Sequence, residues 1–280
     1  MNEIKKDISF FEFYQSYLYE KYNYTMDKLN ATTLFWHYDK LTDIKKFRET
    51  GYHSYHLSYS KHLHKIKNSV KKVLEIGVFK GHSMLLWNNY FPNADIYGID
   101  IKFDKLNFGK SAKDICKNNN KIKLKEIDAY KTDTIKTIKK EWGTDFDIII
   151  DDGSHHPSHQ LFFILHYKDL LASNGIMIVE DVFMKNSFDK SFLDYYDIDY
   201  RAFKDKKFFF DEILQTKTLN AHNFDLKNKK SINLNDFNIT IEKPVDYELE
   251  FKNINLKRES IKETYNNRQG IIFFKKKKWN

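Results

Sequence analysis

Val73-Leu-Glu-Ile-Gly77-Val-Phe-Lys-Gly81 and Phe146-Asp-Ile-Ile-Ile-Asp151-Asp152 read as two strands, each running into a sharp polar or glycine-bearing turn. Ile148-Ile-Ile150 shows no alternation of apolar and polar residues, which suits a sheet covered on both faces. Outward from these, Asp95-Ile-Tyr-Gly-Ile-Asp-Ile101, Lys121 to Ile127 and Ile176-Met-Ile-Val179 repeat the strand signature. Gly81 to Tyr90 and the stretches near 107–118, 131–140 and 158–172 are helical in pattern. Strand and helix alternating at this spacing predict a parallel α/β sheet over 71–181. Two late strands are expected at 247–256 and 270–276. Ser9 to Tyr19 reads as an amphipathic helix capped by Ser9. Residues 1–70 are therefore expected to form a helical, aromatic extension or lid, and 71–280 the main domain. Within it, 182–240 is polar and aromatic and is expected to be an insertion or lid.

The 280 residues are 41% hydrophobic and 16% aromatic, enough for a packed core, which excludes wholesale disorder. No apolar run approaches the roughly 20 residues of a membrane helix. Met1 to Phe10 is mixed in charge and lacks the apolar centre of a secretory signal. The lone Cys116 excludes an intramolecular disulfide framework and a cysteine zinc site. The expectation is a soluble cytoplasmic protein with no membrane span. A net charge of +8 invites a nucleic-acid partner, yet only four arginines are present: Arg48, Arg201, Arg258 and Arg268. Arginine is the preferred residue for bidentate base and phosphate recognition. The lysines are dispersed, and their tightest run, Lys275 to Lys278, stands near the C-terminus. No nucleic-acid partner is expected.

Five of the nine glycines, at 77, 81, 98, 153 and 175, are expected at strand–helix junctions. Glycine is useful where backbone must turn or approach a ligand. Such junctions at the carboxyl ends of parallel strands form nucleotide-type sites. Glu75-Ile-Gly77-Val-Phe-Lys-Gly81 has the pattern E-x-G-x-x-x-G, from strand through turn to helix. A dinucleotide fingerprint is not met, because Phe79 takes its middle glycine position. Asp100 ends the second strand 23 residues after Gly77, a spacing that suits an acid bonding ribose hydroxyls. The plainer alternative is a tight turn with a solvated aspartate. Asp128-Ala129-Tyr130 follows the third strand and could set a side chain over an adenine, or Asp128 could simply cap a helix.

Asp151-Asp152-Gly-Ser-His155-His156-Pro157-Ser-His159 follows the fourth strand, and Glu180-Asp181 ends the fifth. Three or four carboxylates at one sheet edge would repel one another unless a cation sat among them. Oxygen ligands favour Mg²⁺, Ca²⁺ or Mn²⁺ over Zn²⁺. A histidine beside such a site suits a general base. Bland roles remain for the others: Asp151 as a turn cap, His156 as a packed or solvated histidine, Pro157 as a helix start, and His159 facing solvent or cofactor.

Together, Val73-Leu-Glu-Ile-Gly77, Ile96-Tyr-Gly-Ile-Asp100 and the strand reaching Asp151 resemble the class I S-adenosylmethionine-dependent methyltransferases. The resemblance implies a Rossmann-like seven-stranded sheet of order 3-2-1-4-5-7-6, closed by the late hairpin. A narrower resemblance is to the metal-dependent sugar O-methyltransferases of the macrocin and mycinamicin group. It rests on Val73 to Gly77, Ser83, Trp87, Tyr90-Phe-Pro92, Tyr97 to Ile101, Asp151 to His155, and Gly175 through Ile178-Val-Glu-Asp181. Upstream, Asp39-Lys40 and His53-Ser-Tyr55 followed by Tyr59 resemble that group's H-x-Y-x-x-x-Y segment, which lies over the cosubstrate. The resemblance implies S-adenosylmethionine as cosubstrate, and the residues expected to bind it are Tyr55, Glu75, Gly77, Gly81, Ser83, Asp100, Asp128, Ala129 and Asp151. It implies Mg²⁺ or another divalent cation on Asp152, Glu180 and Asp181, and His155 as catalytic base. The acceptor is then a small-molecule or glycan sugar, such as a nucleotide-linked or glycan-attached hexose or heptose. The chain is expected to be a homo-oligomer, and 182–240 to shape the acceptor side. The glycine turn is shorter than in that group, and Val-Phe-Met-Lys after Asp181 departs from its acceptor-binding sequence. Two alternatives stay open: methylation of a small phenol or other non-sugar acceptor, and a non-catalytic cosubstrate-binding protein. A nucleic-acid methyltransferase would carry an Asn/Asp-Pro-Pro-Tyr/Phe motif after strand four, which is absent.

Overall fold

The computed structural model of the protein describes residues 55–79, 81–103, 111–183, 218–220, 231–242 and 269–277. Helix α1 (Tyr55–Leu63) leads into β1 (Lys72–Ile76), α2 (His82–Tyr90), β2 (Asp95–Asp100), α3 (Ala112–Cys116) and β3 (Ile122–Glu126). There follow α4 (Thr132–Glu141), β4 (Phe146–Asp151), α5 (Pro157–Tyr167) and β5 (Leu171–Phe183). The remaining strands are β6 (Thr218–Asn220), β7 (Ser231–Asn233), β8 (Phe237–Glu242) and β9 (Gln269–Lys276).

Seven strands form one sheet in the order β3-β2-β1-β4-β5-β9-β8, and β6 pairs with β7 separately. The first five run parallel, whereas β9 is antiparallel to both β5 and β8. This is the order 3-2-1-4-5-7-6 of the Rossmann-like methyltransferase sheet, with helices on both faces. The reason lies in the strands themselves. Val73, Ile96, Ile148, Ile150, Ile176, Ile178, Ile271 and Phe273 point into one core with α1 and α2. Their immediate neighbours Leu74, Tyr97, Ile149, Met177, Val179, Ile272 and Phe274 point into a second core with α4 and α5. Successive side chains leave a strand on opposite faces, so a strand buried on both must be apolar throughout. Each fully buried Ile, Val or Phe contributes about 1.5–3 kcal/mol before chain entropy is subtracted.

Three expectations are corrected. The partner of the last strand is β8 (Phe237–Glu242), which overlaps the end of the stretch expected to be an insertion; 247–256 lies outside the described residues. Only Phe237 of this strand is buried, with Ile239 and Ile241 partly covered by the second core, and its apolar signal is diluted by Asn238, Thr240 and Glu242. Gly98 and Gly175 sit inside β2 and β5 rather than at strand–helix junctions. The helix expected over 158–172 ends at Tyr167, after which one 3₁₀ turn, Lys168–Leu170, leads directly into β5. The helix expected near 107–118 is described only over Ala112–Cys116, where Ser111 and Asp114 form a reciprocal capping box. Ser9 to Tyr19 and most of 182–240 lie outside the described residues. From the expected N-terminal extension, Tyr59 and Leu63 of α1 are fully buried in the first core.

Candidate active site

Five turns meet at the carboxyl edge of the sheet, after β1, β2, β3, β4 and within β5. The first is set by backbone geometry. Gly77 has φ +88, and a Cβ there would stand 2.0 Å from the Asp152 carbonyl oxygen and 2.7 Å from Gly153 Cα. The β1 turn and the β4 turn therefore cross backbone against backbone, which only a residue without a side chain allows. Gly81 caps α2 in the left-handed conformation, and Ser83 lies partly exposed in the first turn of that helix. Asp100 ends β2 and accepts from the Phe79 amide through Oδ2 at 2.8 Å, tying the second strand end to the glycine turn. Glu75 is fully buried on β1 behind the same turn. Tyr55 opens α1.

After β3, Asp128 accepts from the Tyr130 amide at 3.0 Å and pairs with Lys131 at 3.1 Å. Burial pushes the Asp128 carboxyl up, but the Tyr130 amide and Lys131 outweigh it and hold it below its usual value. The Ala129 carbonyl accepts from the Tyr167 hydroxyl at 2.8 Å. Tyr130 is engaged by residues at and after the end of β4. Its ring stacks on His159, and its hydroxyl donates to Asp151 Oδ1 at 2.7 Å.

Asp151 is buried, and desolvation pushes its carboxyl up to about 6 despite the Tyr130 hydroxyl. Its neighbour Asp152 turns the other way and meets His155 and Asp181. One donor atom from each of Asp152, His155 and Asp181 lies within 4.8 Å of the others. His155 Nε2 stands 3.4 Å from Asp181 Oδ2. Both residues adopt left-handed backbone, φ +57 for His155 and +52 for Asp181. Such conformations cost a non-glycine residue about 1–2 kcal/mol and persist where surrounding contacts impose them.

Asp181 owes its placement to a bulge. The β5/β9 register shifts between Val179 and Val182, so that the strand slips at Glu180 and Asp181. Gln160 of α5 clamps the bulge, its Nε2 donating to the carbonyls of Glu180 at 3.0 Å and Asp181 at 3.2 Å. Glu180 faces the first core, where its Oε1 accepts from the Tyr59 hydroxyl. The expected carboxylate trio is thus not gathered. Asp152 and Asp181 come together with His155, while Glu180 engages α1, because β5 continues past the pair and sends neighbouring side chains to opposite faces. Tyr59, expected over the cosubstrate, is fully buried and packs edge-on against Trp87 and Phe273. Sequence reasoning gave no role to Gln160. Its signal was present in its place one turn into the helix that follows the histidine-rich loop.

The sheet order is that of the Rossmann-like methyltransferase fold, and the chain is of that class in fold. Residues 53–190 match the family described as O-methyltransferase. The chain is similar to the mycinamicin VI 2''-O-methyltransferase of Micromonospora griseorubida, 29% identical over 131 residues, covering 44% of this chain and 30% of that protein. It is also similar to the L-olivosyl-oleandolide 3-O-methyltransferase of Streptomyces antibioticus, 28% identical over 140 residues, with 48% and 33% covered. The match spans about a third of those relatives' own length. Among solved structures, a phosphoethanolamine N-methyltransferase of Haemonchus contortus with bound S-adenosylhomocysteine has TM-score 0.51 at 15% identity. That comparison covers 98% of this chain and 61% of the other, and speaks to the fold. No helix among the described residues is long and apolar enough to cross a membrane.

Proposed function

We propose that this chain is an S-adenosylmethionine-dependent O-methyltransferase that acts on a sugar hydroxyl, with a divalent cation, Mg²⁺ foremost, and His155 as general base. One observation carries the reading: Asp152 and His155, on the loop whose backbone crosses the Gly77 turn, converge within 4.8 Å with Asp181 of β5. The sugar acceptor is supported by the olivosyl group in the name of one relative. The match to the O-methyltransferase family supports transfer to oxygen.

The residues fit both absent groups. Two carboxylates beside a histidine suit a hard divalent cation. The side-chain-free turn at Gly77, with Glu75 and Asp100 around it, suits an adenosyl cosubstrate. In this reading Asp152 and Asp181 hold the cation and His155 stays free for the proton. A cation there would lower the pKa of a sugar hydroxyl, and the sulfonium donor would supply an already activated methyl group. The protein's own task is alignment and deprotonation. His155 Nε2 would take the hydroxyl proton as the oxygen bonds to the methyl carbon and the carbon–sulfur bond breaks to release S-adenosylhomocysteine, and Asp181 would steady the resulting imidazolium. Asp100 keeps the glycine turn in place through the Phe79 amide.

Calorimetric titration of S-adenosylhomocysteine into the protein, with and without Mg²⁺, tests this. Micromolar binding is expected, followed by methyl transfer to glycosides or nucleotide sugars that requires the cation. His155→Ala is expected to abolish turnover while leaving S-adenosylhomocysteine affinity nearly intact. Absence of binding in both conditions would overturn the assignment.

A further inference from the structure

The loop 152–156 carries Asp152 and His155, yet it is not an element of regular structure, and His155 holds a costly positive φ. Its neighbours must impose that shape. Two aromatic side chains do so. The Tyr130 hydroxyl donates to Asp151 Oδ1 at 2.7 Å, and the hydroxyl oxygen itself accepts from the Ser154 amide at 3.3 Å. A Cβ on Gly153 would stand 2.2 Å from that hydroxyl, so the loop lies directly on it. His159, one turn into α5, stacks on the Tyr130 ring at 4.1 Å and 14°, with Phe162 edge-on to the ring at 6.3 Å. His159 Nδ1 meets Ser154 Oγ at 2.6 Å, and that oxygen also accepts from the His156 amide at 3.3 Å. Burial, with the His156 charge beside it, holds the His159 imidazole below its usual pKa, which favours the neutral ring in the stack.

We propose that Tyr130 is a positioning residue: its ring and hydroxyl, braced by His159, fix the 152–156 loop and so hold Asp152 and His155 against Asp181. Tyr130 also belongs to the β3 turn that includes Asp128 and Ala129, so one side chain links the nucleoside end of the pocket to the reaction end. The two ends take these names from the methyltransferase assignment. The bracing of the loop is independent of it. A packed core tyrosine would stabilise the domain as a whole. A positioning tyrosine acts on the loop and on cation affinity, and leaves cosubstrate affinity in place.

Tyr130→Phe keeps the stacked ring and removes the hydroxyl. Amide hydrogen exchange on the full chain is expected to quicken about tenfold within 152–156, with β1 and β4 unchanged. Mn²⁺ affinity, read by calorimetry on the acceptor-free protein, is expected to weaken about tenfold, while S-adenosylhomocysteine affinity stays within about threefold. Unchanged exchange in 152–156, or faster exchange spread across β1 and β4, would overturn the proposal. So would a joint loss of both affinities. If the wild-type protein binds no S-adenosylhomocysteine, the methyltransferase assignment fails, and the exchange comparison still decides the role of Tyr130. Should Tyr130→Phe not fold, Ser154→Ala severs the His159 brace from the loop, and the same localised quickening is expected.

Discussion

Gly77→Ala is the most direct perturbation of this site, because the crossing at Gly77 is backbone on backbone. The new Cβ would meet the Asp152 carbonyl oxygen at 2.0 Å, the carbonyl carbon at 2.4 Å and Gly153 Cα at 2.7 Å. No flexible side chain can yield there. Carbon and oxygen must be separated by about 3.4 Å for ordinary contact, so the loop has to retreat by more than about 1 Å. Alanine at φ +88 adds roughly 1–2 kcal/mol of backbone strain, and overpacking adds roughly 1–3 kcal/mol. About 3 kcal/mol in all corresponds to a fall in Tm of about 6–12 °C for a domain of this size. The consequence for chemistry is larger than for folding. Asp152 and His155 ride on the displaced loop, and a misplacement of about 1 Å costs on the order of 100-fold in rate. Differential scanning calorimetry and S-adenosylhomocysteine titration on Gly77→Ala are the assays. Both stability and affinity are expected to fall, with turnover falling furthest. Wild-type Tm together with wild-type affinity would show that the two turns do not cross as described, and would remove the physical basis for placing the cosubstrate there.

Three other perturbations have defined outcomes. Asp151 has a folded pKa of about 6, above the unfolded value near 3.8, so the native state binds the extra proton between those pH values. Stability from this group is fully present below pH about 4 and declines by about 3 kcal/mol as pH rises through 6. Asp151→Asn keeps an acceptor for Tyr130 and should flatten that part of the stability–pH curve, as followed by urea unfolding from pH 4 to 8; an unaltered curve would refute the assignment. Tyr59→Phe removes the hydroxyl that donates to the buried Glu180 carboxylate and is expected to cost about 2 kcal/mol, with Mn²⁺ affinity unchanged because the convergent group is Asp152, His155 and Asp181. Tighter Mn²⁺ binding would instead put Glu180 in the cation's shell. Gln160→Ala frees the Glu180–Asp181 bulge and is expected to cost about 1–3 kcal/mol and to weaken Mn²⁺ binding, measured by calorimetry; an unaffected cation affinity would separate the bulge from the site.

The sequence by itself determined the parallel core of the fold and the position of its turns. Ile148-Ile-Ile150 and its counterparts can only be strands buried on both faces, and a chain that alternates such strands with helices has few ways to pack. Because parallel strands end at a common edge, the sequence alone sets Gly77, Asp100, Asp128, Asp152 and Asp181 at that edge of the sheet. The strand β8 was hidden for the converse reason. A strand at the sheet's edge is only partly covered, and Phe237-Asn-Ile-Thr-Ile-Glu242 lacks the continuous apolar run of its neighbours. Which carboxylates face which partner was decided by tertiary structure alone. Adjacent Glu180 and Asp181 differ only by one step along a strand, and the bulge clamped by Gln160 settles how that step is taken. One side chain is thereby sent to Tyr59 and the other to His155. Tyr130, too, lies 21 residues before Asp151, and no local pattern links a tyrosine after one strand to a carboxyl at the end of the next. Local periodicity encodes which way a residue faces within its own element; it does not encode what the fold brings opposite.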